Sequence, residues 1–121
     1  MNVKFNNGVE LPCITVNGKQ GYYQNANREI YEFHFDPNNT DFAQLESLFG
    51  NEENTKQIRI IDGDSDFLHE NFTIRMSLSF LPIEVLPETT SSPAKYENRF
   101  VVSMAQKTYM ENLVSQLITQ Q

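Results

Sequence analysis

Between Phe72 and Phe80 the chain alternates without a break, with Phe72, Ile74, Met76, Leu78 and Phe80 separated by Thr73, Arg75, Ser77 and Ser79. An extended chain turns successive side chains to opposite faces. This spacing therefore predicts a long strand with one dry face, central in its sheet. The same period recurs in Tyr31, Phe33 and Phe35, which leaves Glu32 and His34 on the other side of a strand running from Arg28 to Asp36. At the start, Val3 and Phe5 alternate toward one face, Asn7-Gly8 supplies the positive φ of a tight turn, and Val9 and Leu11 resume the pattern of a hairpin. Pro12 then limits ladder bonding, which suits an edge or a bulge. A second Asn-Gly, Asn17-Gly18, follows Ile14-Thr15-Val16 and predicts another turn in a β meander.

The period changes after Asp36-Pro37-Asn38-Asn39. Phe42, Leu45, Leu48 and Phe49 recur at spacings of three and four, with Thr40 or Asp41 to cap the start and Gly50 to close the end, so a helix of about three turns is expected to cover one face of the sheet. Asn51 to Lys56 reads as a polar loop, Gln57 to Ile61 as a short strand, and Asp62-Gly63-Asp64-Ser65-Asp66 as a turn. Pro82 and Pro87 bracket Ile83 to Leu86, and the stretch through Ala94 has too little apolar content to pack, which predicts an exposed, mobile loop. Phe100, Val102 and Met104 restore a strand. Thr108-Tyr109-Met110-Glu111 has the spacing of a capping box, and Met110, Leu113, Val114, Leu117 and Ile118 form the stripe of a final helix expected to lie on its own sheet.

Together these elements define an α+β class: a mainly antiparallel β sandwich or half-barrel with one short internal helix, about 41–49, and a C-terminal helix, about 109–119. A length of 121 residues suits a single domain spanning 1–121. Nine Phe and five Tyr supply the apolar faces of a packed core.

A formal charge of −7 changes the picture by disfavouring nucleic acid, since phosphate-backbone binding needs a Lys/Arg surface. No stretch approaches the roughly 18 apolar residues of a membrane helix, and the polar start Met1 to Asn7 lacks a signal peptide's order, so residence in a cytoplasm is expected. Lone Cys13, with apolar and Pro neighbours, reads as a half-buried strand residue, and His34 and His69 as surface or loop histidines.

Asp62, Asp64 and Asp66 have the one-apart spacing that opens a calcium-binding EF-hand loop, a weak candidate metal site. The loop's sixth and twelfth positions hold Phe67 and Thr73 where Gly and a bidentate acid are needed, which favours a solvated acidic turn. Neither a nucleophile elbow nor a phosphate loop occurs, so no catalytic or cofactor-binding residue is assigned and a non-enzymatic role is expected. The segment Gly21 to Arg28 joins aromatics to amides and an Arg, the residue types enriched at protein interfaces; Tyr22, Tyr23, Asn25 and Arg28 are its candidate protein-binding residues, against the plainer reading that one Tyr packs inward and Asn25-Ala26-Asn27 is a turn. The Pro87 to Lys95 loop and the exposed side of the last helix are further candidate surfaces.

The run Gln24 to Phe33, the later Leu45-Glu46-Ser47-Leu48-Phe49, and Val101 to Tyr109 resemble short proteins encoded among tail and lysis genes of phages and prophages of Gram-positive gut bacteria. The resemblance implies a tail or baseplate component that binds other virion tail proteins, associates with itself in several copies around the tail axis, and passes from the host cytoplasm into the virion tail. It carries no site residues. Two alternatives belong to other classes: an acidic inhibitor of a host defence protein, of the anti-CRISPR type, acting as a nucleic-acid mimic, and a weak calcium-binding domain.

Overall fold

The computed structural model describes residues 1–119. Eight strands and three helices follow one another as β1 (Asn2–Lys4), β2 (Glu10–Pro12), β3 (Thr15–Tyr23), β4 (Ala26–Phe35), α1 (Phe42–Phe49), α2 (Glu52–Thr55), β5 (Gln57–Asp62), β6 (Ser65–Glu70), β7 (Ile74–Leu86), β8 (Lys95–Ala105) and α3 (Tyr109–Thr119). They form two antiparallel sheets, ordered β2-β1-β5-β6 and β3-β4-β8-β7. The α+β class expected from the pattern is the class observed.

Both sheets turn one face to a common core. Val3, Leu11 and Ile58 come from the first sheet, Phe33, Phe35, Val102 and Met104 from the second, and Leu45, Leu48 and Phe49 from α1. Phe49 joins the layers, its ring lying 5.0 Å from Phe5, 5.3 Å from Phe33 and 5.8 Å from Phe35. Such tilted and edge-on contacts suit the ring quadrupoles. The helix starts where Asp41 accepts a bond from the Gln44 amide at 2.7 Å, the capping expected of an acidic residue before an apolar stripe.

The β1–β2 hairpin forms as its alternation predicts, with Val3 opposite Leu11 and Gly8 at φ +92°. The second Asn-Gly does not turn. Asn17 and Gly18 lie inside β3, opposite Glu32 and Tyr31, and the reversal falls instead at Gln24 and Asn25, with φ of +49° and +64°. Gly18 is needed for space: a Cβ there would sit 2.8 Å from Tyr31 Cε1, and that ring is held by stacking on Phe72 at 4.5 Å.

Three other expectations are corrected. The segment Asn51 to Lys56 contains the short helix α2, capped by Asn51, and β6 adds a strand after the Asp-Gly turn. The strand holding Ile74 to Phe80 is an edge strand, with β8 and β4 central. Its alternation is also broken by a bulge between Arg75 and Ser77, so Ile74 pairs with Ala105 on the outer face, Leu78 pairs with Val102 on the core side, and Arg75 reaches Glu46 of α1. An extra residue in a bulge reverses the phase of everything before it.

The strand also runs further than expected, through Pro82 to Leu86, because Pro is tolerated on an edge where its missing N–H would point away from the ladder. Only Thr89 to Ala94 and their neighbours remain as loop, and Thr89 organises them by accepting the Ser92 amide at 3.0 Å.

Candidate protein-binding surfaces

Pairing registers divide the second sheet into a body and an arm. Strand β4 leaves β8 at Phe35↔Phe100, whereas β7 and β8 stay paired from Leu81↔Arg99 to Leu86↔Lys95. A two-stranded ribbon therefore projects past the third strand. In the body the side of β8 holding Phe100, Val102 and Met104 faces the core; along the arm the same side continues as Phe80, Pro82 and Tyr96 with nothing opposite. Phe80 is 54% exposed and Tyr96 61%. Phe80 packs on Phe100 at 5.2 Å and Phe42 of α1 lies 6.4 Å from the same ring, so an aromatic ladder leads out of the core onto the arm. The reverse side carries Leu81, Ile83 and Leu86, and Leu81 and Leu86 are exposed as well. On that side they alternate with Arg99, Glu97 and Lys95 of β8, so the uncovered apolar row is the core-side one, and an isolated two-stranded ribbon bearing such a row invites cover.

The other end of β8 leads into α3. The capping box forms as its spacing predicts: the Thr108 amide donates to Glu111 Oε1 at 2.9 Å and the Glu111 amide to Thr108 Oγ1 at 3.2 Å. The stripe does not lie on the sheet. Tyr109 is 77% exposed, and Met110, Val114, Leu117 and Ile118 are exposed too, which corrects the expected docking of this helix on its own sheet. What ties α3 down is an ion pair at its first turn, between Glu111 and Arg28.

Arg28 shows how a sequence candidate can be drawn inward. It is 4% exposed; its Nε donates to the Tyr23 carbonyl at 2.7 Å, Nη2 to the Gln24 carbonyl at 3.1 Å and to Glu111 Oε2 at 2.9 Å, and Nη1 to the Gln106 carbonyl at 3.1 Å. All three nitrogens are used internally. Glu111 in turn is held well below the usual carboxylate range, at about 2, chiefly by the guanidinium hydrogen bond and then by the Thr108 amide. Of the other residues in that segment, Tyr22 stands 71% exposed, Tyr23 is half-buried, and Asn25 occupies the turn. Tyr22 lies at the same end of the sheet as α3, because β4 pairs its Ile30 with Ala105 there.

The acidic turn holds no cluster. Asp66 pairs with Arg59 at 3.2 Å, Gly63 takes φ +60°, and among the described residues no group of three His, Cys, Asp or Glu side chains could hold a metal ion. Neither histidine is a surface group. His34 is 4% exposed on β4, its Nε2 2.9 Å from Glu32 Oε1 and its Nδ1 3.4 Å from Arg99 Nη1. Since a guanidinium only donates, Arg99 bonds a bare Nδ1 and the ring proton sits on Nε2 toward Glu32. Burial keeps this chain from substrate; it links β4 to β8. His69 is half-buried against Tyr31 and Phe72, and burial lowers its pKa. Cys13 is buried with Sγ 3.2 Å from the His34 carbonyl, and desolvation raises the thiol to about 11. A groove between α2 and α3 is lined by Glu52, Glu70, Lys56, Lys107 and Leu113, and its cations Lys56 and Lys107 lie 2.8 Å from Glu53 and 3.4 Å from Glu52.

The arm and α3 are where the described residues leave the most apolar side-chain area open. Compared with family models, with curated proteins and with solved structures, the chain matches none.

Proposed function

We propose that this chain is a non-enzymatic assembly domain acting by protein–protein binding. More particularly, we read it as a component of a phage tail or baseplate that binds neighbouring tail proteins and moves from the host cytoplasm into the virion. One observation carries the first step: a ribbon whose core-side face leaves Phe80, Pro82 and Tyr96 uncovered and a helix with a bare apolar stripe project from opposite ends of β8. Leaving both in water forfeits the hydrophobic gain of burial, so a partner that covers them is favoured. The second step rests on the resemblance of the segments Gln24 to Phe33 and Val101 to Tyr109 to short tail-region proteins.

The charge distribution weighs against a nucleic-acid mimic. Glu46, Glu53, Asp66, Glu97 and Glu111 pair with cations and are spread over α1, α2, β6, β8 and α3, whereas mimicry needs acids gathered on one face. Quantitative mass spectrometry of purified virions tests the proposal. The chain is expected in particles at a fixed ratio to tail proteins; its presence in infected cells but not in particles would overturn the tail reading.

A further inference from the structure

The arm and α3 cannot cover each other within one molecule. Between them lies β8, and its eleven residues span roughly 36 Å at the rise of an antiparallel strand. Both surfaces are therefore left exposed at opposite ends of one strand.

We propose that the cover is a second copy of this chain, bound head to tail, with α3 of one copy laid on the core-side face of the next copy's arm, across Phe80, Pro82 and Tyr96 and against Phe42. This rests on the assembly reading above and names its partner.

Three features carry the choice. The first is shape. On the arm's core-side face the body's own core simply runs out, and the aromatic ladder Phe42, Phe100, Phe80 continues it without a covering layer. In the body that layer includes a helix, α1, presenting Leu45, Leu48 and Phe49; α3 is a helix with its own bare stripe of Met110, Leu113, Leu117 and Ile118. A helix on a sheet face repeats the packing the fold already uses.

The second is charge. Copies of a chain carrying −7 repel, so association is favoured where charge is least. Through the span of α3, Tyr109 to Thr119, Glu111 is the one charged residue, and Arg28 of its own subunit neutralises it. The aromatic row on the arm carries Glu84 as its charged member, opposite Tyr96. A basic or acidic partner would find little to bind at either surface.

The third is area and symmetry. The exposed side chains of the stripe and the aromatic row together offer roughly 1,000 Å², the size a specific contact is expected to reach. A two-fold contact of helix on helix would leave the arms bare, and one of arm on arm would leave the helices bare. Docking of α3 on an arm covers both with a single kind of contact; made in one direction it repeats, closing into a ring or extending as a filament, whereas made reciprocally it would stop at a two-fold dimer. Pairing of the arms through their β7 edge is disfavoured by Pro82, which lacks an N–H to donate there.

Sedimentation velocity on the full chain and two surface variants tests the proposal. Wild type is expected to assemble beyond a dimer as concentration rises toward about 1 mM, a range that detects even weak association. Tyr96→Glu blocks the arm and Leu117→Glu blocks the helix; each alone should be monomeric, with association weakened at least tenfold and an unchanged melting temperature. Mixed, they should form a one-to-one heterodimer that grows no further, because one free arm meets one free helix. Tyr96→Ser serves as a milder arm variant should the glutamate disturb the ribbon. A monomeric wild type, one that stops at a dimer, or an assembling wild type whose two variants fail to complement overturns the head-to-tail contact. Either result leaves the virion measurement to judge the tail reading separately.

Discussion

Arg28 on β4 and Glu111 on α3 lie 83 positions apart in the chain and meet in a two-pronged ion pair, the guanidinium buried and the carboxylate partly open to solvent. It fixes the direction in which the last helix leaves the sheet. Replacing Glu111 by Gln is expected to keep the capping geometry but lose the charge pairing, and Arg28→Ala to orphan the Tyr23, Gln24 and Gln106 carbonyls as well. Arg28→Ala should cost roughly 2–3 kcal/mol, toward the low side for a buried pair because Glu111 is partly solvated. Urea unfolding gives the loss, and hydrogen exchange of the α3 amides shows whether the helix loosens first. Equal protection of α3 in both variants and wild type would remove the tether.

The same pair sets a pH response. Glu111 is held at about 2 in the folded chain, below its unfolded value near 4.5, so the unfolded state binds the proton more readily. Its contribution is complete above about pH 4.5 and is lost as pH falls toward 2. Helical signal from α3 should therefore fade across that window in wild type, while Glu111→Gln should show no such step. A step of the same size in Glu111→Gln would assign the response to other carboxylates.

Gly18 is expected to resist substitution despite its ordinary φ. A Cβ placed 2.8 Å from the Tyr31 ring has no flexible chain end to displace, since Tyr31 stacks on Phe72 and donates to or accepts from His69 Nδ1 at 3.2 Å. Gly18→Ala should destabilise by roughly 1–3 kcal/mol, the range for overpacking plus a shifted ring. Gly8→Ala, where nothing lies within 4 Å but φ is +92°, should lose stability through backbone strain alone. Thermal melts of the two variants, with Tyr31 ring shifts by NMR, separate the mechanisms: only the first should move the ring.

Cys13 should be inert in the native protein. Its thiol is buried, raised to about 11, and engaged with the His34 and Thr15 carbonyls. Reaction with a thiol reagent at pH 8 is expected to follow the rate of opening and not that of a free thiol. Rapid labelling without denaturant would show that the β2–β3 corner is open.

Local chemistry explains why some elements could be read directly. Phe42, Leu45, Leu48 and Phe49 form a helix and bury as their spacing demands, Asp41 caps it, and Thr108 with Glu111 closes a capping box within four residues. Each of these needs only neighbours in sequence. The Asn17-Gly18 signal failed because the turn it favours is worth less than nine paired residues of β3 against β4, with the reversal moved to Gln24-Asn25. Arg28 looked like an interface group because the Gln106 carbonyl and Glu111, which join the nearby Tyr23 and Gln24 carbonyls around it, come from the far end of the chain. The arm was hidden by its prolines, which read as a loop boundary until the edge position of β7 made them tolerable.

By itself the sequence determined the α+β class, the β1–β2 hairpin, the helix at Phe42–Phe49, the start of α3 and an aromatic core, because periodicity and capping act over a handful of residues. Tertiary structure alone decided which strand lies at an edge, where the bulge at Met76 reverses the faces of β7, and that the stripe of α3 remains uncovered. Those outcomes depend on the order of strands and the lengths to which each is paired, and both are set by contacts between residues far apart in the chain.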